Sequence, residues 1–328
     1  MKKILICTLL LTFFCNAQVT KKRTVKLMGS RFDITIVAKD EATAETYIDS
    51  AIVEITRIEN LISDWIPTTQ VSEINRNAGI KPVKVDKELF DLTKRGIAFS
   101  KLTDGAFDIS YASMDKIWIF DGSMTELPSA EAIKKSVEKV GYKNIVLDAK
   151  NQTIFLKLPG MKISFGSIGK GYAADKTKDL MMQKGVKAGI VNASGDMNTW
   201  GKQPDGKKWT VGITNPLNPD KVFASFTLED NAVVTSGTYE KYVILDGKKY
   251  SHIIDTQTGY PAKGLASVTV FAASAELANG LSTAIVVIGE EAGMKLVDQI
   301  QNVSCVIVND EGKIFTSKNI DLKKTNVD

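Results

Sequence analysis

Apolar residues recur through positions 41 to 63 at Ile48, Ile52, Ile55, Ile58 and Ile62. That three-and-four spacing predicts an amphipathic helix with one stripe turned to a core. Upstream, Arg23 to Ala38 passes through Lys-Leu-Met-Gly-Ser-Arg-Phe-Asp-Ile-Thr-Ile-Val and reads as a strand. Further helices are predicted over Asp86 to Lys101 and over Ser129 to Val140, where Gly141 ends the pattern. Ile145 to Asp148 and Thr153 to Leu158 read as a hairpin crossing at Ala149 to Gln152, and another helix opens after Gly166-Ser-Ile-Gly169 and runs to about Lys184. From Gly189 to Val270 the pattern is mainly short strands separated by glycine, proline and asparagine. Residues 274 to 299 return to helical spacing, and two strands follow near Cys305 and Ile314. There is no long linker, internal repeat or low-complexity tract, so the pattern predicts one compact α+β domain over residues 18 to 328, with two lobes facing a cleft as a further expectation.

The first residues fall outside that domain. Lys2 and Lys3 precede the apolar run Ile4 to Phe14, and Cys15-Asn16-Ala17 offers small residues for cleavage after Ala17. This is the pattern of a secretory signal peptide over residues 1 to 17, so the mature chain is expected to be exported and periplasmic. A lipid anchor on Cys15 is the competing reading; lipoprotein processing favours a small residue before the cysteine, and Phe14 stands there. Losing the signal leaves Cys305 as the one cysteine, which excludes an intramolecular disulfide. It also lowers the net charge from +4 to +2, which does not point to a nucleic-acid partner.

Five stretches could carry chemistry. One of them, Thr103-Asp-Gly-Ala-Phe-Asp-Ile109, combines an aromatic face with a carboxylate at a helix end, which a buried Phe107 and a capping aspartate explain almost as well. The single histidine, His252, lies in Tyr250-Ser-His-Ile-Ile-Asp-Thr-Gln-Thr-Gly-Tyr-Pro261 and is expected on a strand entering a tight turn, where an imidazole could move protons near neutral pH. In Ile163-Ser-Phe-Gly-Ser-Ile-Gly-Lys-Gly-Tyr-Ala-Ala-Asp175, a helix begins beside Lys170, an arrangement suited to phosphate but equally to ordinary strand-to-helix punctuation. Val191-Asn-Ala-Ser-Gly-Asp-Met197 would let a backbone approach a ligand closely, or simply form a loop. Asn279 and Thr283 are four apart and share a helix face, where both could offer oxygen to a hard cation; a small-residue packing interface explains them as well.

Read in order, these stretches resemble the ApbE family of FAD:protein FMN transferases. The matching blocks are Met28-Gly-Ser30, Ser63-Asp-Trp65 through Ser72-Glu-Ile-Asn75, Gly105-Ala-Phe-Asp108, Gly166-Ser-Ile-Gly-Lys-Gly-Tyr172, Asn192-Ala-Ser-Gly-Asp196, Thr235-Ser-Gly-Thr-Tyr239, His252 to Gly259, and Leu281-Ser-Thr-Ala284. The resemblance implies an α+β domain that cleaves FAD, releases AMP and attaches FMN to a threonine of a flavoprotein, such as a flavin-carrying subunit of an electron-transfer complex at the membrane. It implies magnesium as the metal, with the Ser167 carbonyl, Asn279 and Thr283 as ligands. FAD contacts are implied for Met28, Trp65, Ala106, Phe107, Asp108, Ser164, Lys170 and Ile254, and His252 is implied as the base that deprotonates the acceptor threonine.

Four positions depart from the family's usual pattern. Ser164 stands where aspartate is common, Ser194 replaces glycine, Thr256 replaces proline, and Asn279 replaces the aspartate expected on magnesium. A carboxamide keeps an oxygen but loses the negative charge that hard cations favour. FAD hydrolysis to FMN and AMP, or FAD binding without catalysis, are therefore the alternatives to flavin transfer.

Overall fold

The computed structural model describes residues 18–318 and 320. The expected signal segment and Cys15 lie outside them. β1 (Val19–Leu27) and β2 (Ser30–Ala38) form a hairpin where the sequence predicts a single strand. The difference lies in Met28 and Gly29, which both take positive φ (50° and 67°) and turn the chain in two residues. α1 (Glu41–Ile62) follows, its stripe of Ile48, Ile55 and Ile58 fully buried, and the short α2 (Gln70–Arg76) was not evident from periodicity.

β3 (Val83–Lys84), α3 (Lys87–Leu102), α4 (Ala130–Ser136), β4 (Ile145–Asp148) and β5 (Thr153–Leu156) come next, and the three strands pair in the order β3-β5-β4. α4 is shorter than the apolar pattern suggests. α5 (Gly169–Gln183) then leads into β6 (Ala188–Ala193), β7 (Asp196–Trp200), β8 (Trp209–Asn215), β9 (Asn218–Leu228) and β10 (Ala232–Gly237). The chain ends with β11 (Tyr242–Leu245), β12 (Lys248–Ser251), β13 (Leu265–Ala272), α6 (Ala275–Ile288), α7 (Glu290–Val297), β14 (Ser304–Asn309) and β15 (Ile314–Thr316). The helical stretch 274 to 299 is thus two helices, parted at Gly289 with φ 85°.

Eight strands form the central antiparallel sheet in the order β1-β2-β6-β7-β10-β13-β14-β15. α1, α5 and α6 pack beside one another on it, and the main core fills the space between with Phe32, Ile34, Ile36, Val234, Val268 and Leu281. The β8–β9 hairpin covers other sheet residues, setting Val211, Ile213 and Leu228 against Val233, Phe271 and Val306. β13 is buried at every position, so its run of Val, Ala and Phe lacks the alternation of a half-exposed strand. Cys305 is free and buried in β14.

Two close approaches place the site. A Cβ on Gly171 would meet the Ala275 carbonyl oxygen at 2.4 Å, so α5 and α6 touch backbone to backbone there. The Asp175 carboxylate, on α5, accepts from Ala275 N–H at 2.7 Å, Glu276 N–H at 3.0 Å, Ser274 Oγ at 2.6 Å and Asn198 Nδ2 at 2.6 Å. It satisfies the otherwise orphan donors at the start of α6 and fixes that helix against α5 and β7.

Candidate active site

Six segments distant in sequence meet at one cavity of about 250 Å³. They are the loop Ala106–Asp108 with Tyr111, the start of α5 with Gly166, Ser167 and Lys170, and the β6–β7 hairpin tip with Ser194 and Asp196. The end of β10 with Thr235 and Ser236, the segment His252–Ile254 with Thr256, and Asn279 and Thr283 of α6 also line it. Nine of the residues implied by the family resemblance are thereby brought together: Ala106, Phe107, Asp108, Ser167, Lys170, His252, Ile254, Asn279 and Thr283.

His252 lies one residue beyond β12, at the start of the turn instead of within the strand. The Lys241 carbonyl accepts from its backbone N–H at 3.0 Å and lies 3.1 Å from its Nδ1. A carbonyl can only accept, so Nδ1 carries the proton and the neutral ring leaves a lone pair on Nε2. Burial holds the imidazole below its ordinary pKa of 6.5. The ring is therefore neutral at pH 7. The turn after it is held by Asp255, which accepts from Gln257 N–H and from Thr258 Oγ1, while Ile254 bridges to Pro261.

The start of α5 carries no capping side chain, and Lys170 follows in its first turn. Free N–H groups and an ammonium so placed favour an anion. Three buried oxygens in this wall make no hydrogen bond: Ser167 Oγ, Asp196 Oδ2 and Asn279 Oδ1. Lys170 Nζ comes no closer to Asp196 than 3.5 Å. Burial pushes the Asp196 carboxyl up to about 6, with the Lys170 charge opposing. Burial also raises Glu240, another residue of the wall. Beside Asn279, Thr283 Oγ1 lies 3.5 Å from Ser236 Oγ, which itself bonds Ser282 Oγ at 2.8 Å. Buried oxygens left without donors suit a hard cation, and Thr283 offers one more.

Met28, Trp65 and Ser164 are not brought to the wall. Met28 occupies the hairpin turn, donates its N–H to Glu59, and packs near Gly169 at the start of α5. Trp65 is 56% exposed on the loop after α1. Ser164 sits behind the wall, accepting from Tyr111 Oη and donating to Asp64, so a carboxylate reaches this spot from the loop after α1. Asp108 lines the cavity, but its carboxylate serves the loop: it accepts from Ser110 N–H and Oγ and from Tyr142 N–H.

The remaining departures also have local partners. Ser194 adopts φ 54°, a conformation that glycine would take freely, and donates to the Arg31 carbonyl at 2.9 Å. Thr256 donates to the Gly105 carbonyl at 2.7 Å and ties the histidine turn to the Ala106–Asp108 loop. Glu240 and Tyr111 lie outside the blocks read from sequence, while Asp196 and Ser236 lie within two of them without a role of their own. For Asp196 the available signal was the tight Ala-Ser-Gly turn just before it, which fixes a carboxylate at the first position of a strand.

The sequence profile described as "ApbE family" matches residues 28–307. A protein named FAD:protein FMN transferase from Klebsiella pneumoniae (strain 342) is 31% identical over 293 residues, covering 89% of this chain and 90% of that one. One of the same name from Escherichia coli (strain K12) is 28% identical, covering 88% and 84%. Among solved structures, the ApbE protein of Thermotoga maritima MSB8 aligns with a TM-score of 0.84 at 32% identity, over 92% of this chain and 97% of that one. The apo form of Pseudomonas stutzeri flavinyl transferase ApbE aligns with a TM-score of 0.81 at 28% identity, over 92% and 95%.

Proposed function

The chain belongs to the ApbE family, and we propose that its cavity transfers FMN from FAD to a threonine of a partner flavoprotein, releasing AMP. The observation that carries this reading is the meeting, in one wall, of a histidine with a free Nε2, a lysine at an uncapped helix start, and unpaired buried oxygens.

In this mechanism the threonine hydroxyl attacks the phosphorus of the FMN half. Its proton passes to His252 Nε2, a new Oγ–P bond forms, and the bond to the bridging oxygen breaks, so the electron pair leaves on AMP. The Lys241 carbonyl holds the imidazole in the required tautomer and stabilises the imidazolium as it forms. Lys170 and the start of α5 bind the diphosphate and balance charge that builds on it. The Ala106–Phe107 edge and Ile254 give the cavity apolar contact surface. The unpaired Asn279 Oδ1 fits magnesium: it and Thr283 Oγ1 would hold the ion together with the Ser167 carbonyl that the family resemblance implies, and the ion would supply positive charge to the diphosphate.

The acceptor in this reading is a flavin-carrying subunit of an electron-transfer complex, met outside the cytoplasm after the amino-terminal signal has been removed. Among the described residues no helix is long and apolar enough to cross a membrane, which is compatible with peripheral contact to such complexes. The test is incubation of the mature protein with FAD, magnesium and an acceptor domain, followed by in-gel flavin fluorescence and AMP assay. Covalent fluorescence with matching AMP is expected. AMP without labelling would replace transfer by FAD hydrolysis, and bound FAD with neither product would leave a carrier.

A further inference from the structure

Asn279 and Thr283 offer a cation only neutral oxygens, and the structure holds a carboxylate nearby. Asp196 is 3% exposed, and its Oδ2 has no hydrogen-bond partner. It lines the same cavity as Ser167, Asn279 and Thr283. Its backbone position explains why. Asp196 and Asn198 share a face of β7, and Asn198 reaches Asp175 and Lys178 of α5, so that face looks toward the helices. On the adjacent β10, Ser236 reaches Ser282 and Thr283 of α6. The carboxylate therefore enters the gap between sheet and helices that the oxygens of Asn279 and Thr283 also face.

An isolated carboxylate in such a place is costly unless it is paired or coordinates a metal. Lys170 forms a long ion pair with it at 3.5 Å, leaves Oδ2 without a hydrogen bond of normal geometry, and remains partly exposed. The Ala193–Asp196 turn that delivers the carboxylate is fixed by Ser194 and Gly195, both at positive φ, and by the Ser194 bond to Arg31.

We propose that Asp196 supplies to a divalent cation the anionic oxygen that the neutral Asn279 and Thr283 lack, so that the negative charge of this site comes from the β6–β7 turn and not from α6. The inference rests on the flavin-transfer reading only for the identity of the cation; the oxygens are this chain's own. The competing role for Asp196 is a counter-ion to Lys170 with no part in metal binding.

Manganese, as the metal alone, separates these roles without FAD, acceptor or turnover. Binding of Mn²⁺ to mature protein, read from the loss of the free-ion EPR signal, is expected to weaken by about tenfold or more in Asp196→Asn. Adding Asn279→Asp to that variant is expected to restore affinity to near the wild-type value, because the charge returns at the other position. Equal Mn²⁺ affinity in wild type and Asp196→Asn would overturn the proposal and leave flavin transfer standing. Failure of Asn279→Asp to restore what Asp196→Asn loses would overturn the exchange of charge. A wild-type protein that binds no Mn²⁺ would overturn both this proposal and the cation assignment. Should Asp196→Asn not fold by circular dichroism, wild-type crystals soaked in Mn²⁺ decide the matter. An anomalous peak within about 2.0–2.6 Å of an Asp196 oxygen supports coordination; a peak bound elsewhere, with Asp196 turned to Lys170, overturns it.

Discussion

The backbone N–H and the Nδ1–H of His252 both point at the Lys241 carbonyl, which leaves Nε2 as the nitrogen able to accept a proton. His252→Ala should lower labelling of an acceptor by about a hundredfold or more, the usual reach of a positioned base, while FAD affinity stays within about threefold. Undiminished labelling in a titration of the variant would remove the imidazole from the reaction. Burial lowers the pKa of this ring below its ordinary 6.5, which favours the neutral, basic form near neutrality. Single-turnover labelling measured from pH 5 to 8 should rise with pH and level off by about 7, with an apparent pKa below 6.5. An acid limb centred above 7 would mean that another group titrates. The sequence marked His252 by its rarity and by its turn, but the tautomer depends on a carbonyl eleven residues earlier, and only the pairing of β11 with β12 brings that carbonyl alongside.

At the level of elements, periodicity located α1, α3, α5 and the β4–β5 hairpin to within a few residues because each carries a regular apolar stripe or a turn of strong type. It merged β1 with β2, because Met28 is not a residue that advertises positive φ, and it ran α6 into α7 across Gly289. It also gave no sign that Asp175 fastens α6 to α5, since the three donors from the α6 start come from residues about a hundred positions away. That carboxylate collects four hydrogen bonds in a partly buried setting. Asp175→Ala should cost about 2–4 kcal/mol in urea unfolding, as orphan N–H groups at the start of α6 lose their acceptor. A loss under about 0.5 kcal/mol would show that the helix is positioned by packing alone.

Across the whole molecule, the cavity exists because the eight-stranded sheet, the start of α5 and one face of α6 meet with loops from the first half of the chain. Family resemblance identified nine of its residues one by one, yet it could not show that Ser164, Trp65 and Met28 stand outside the wall, nor that Asp196 stands inside it. Those placements come from tertiary pairing between segments whose separate sequences read as ordinary loops. Intact-mass spectrometry of an acceptor domain, after incubation with this protein, FAD and magnesium, tests the central claim most directly. The account predicts a gain of one FMN less water, located on a threonine, and no gain with His252→Ala. An acceptor of unchanged mass beside free FMN and AMP would contradict it.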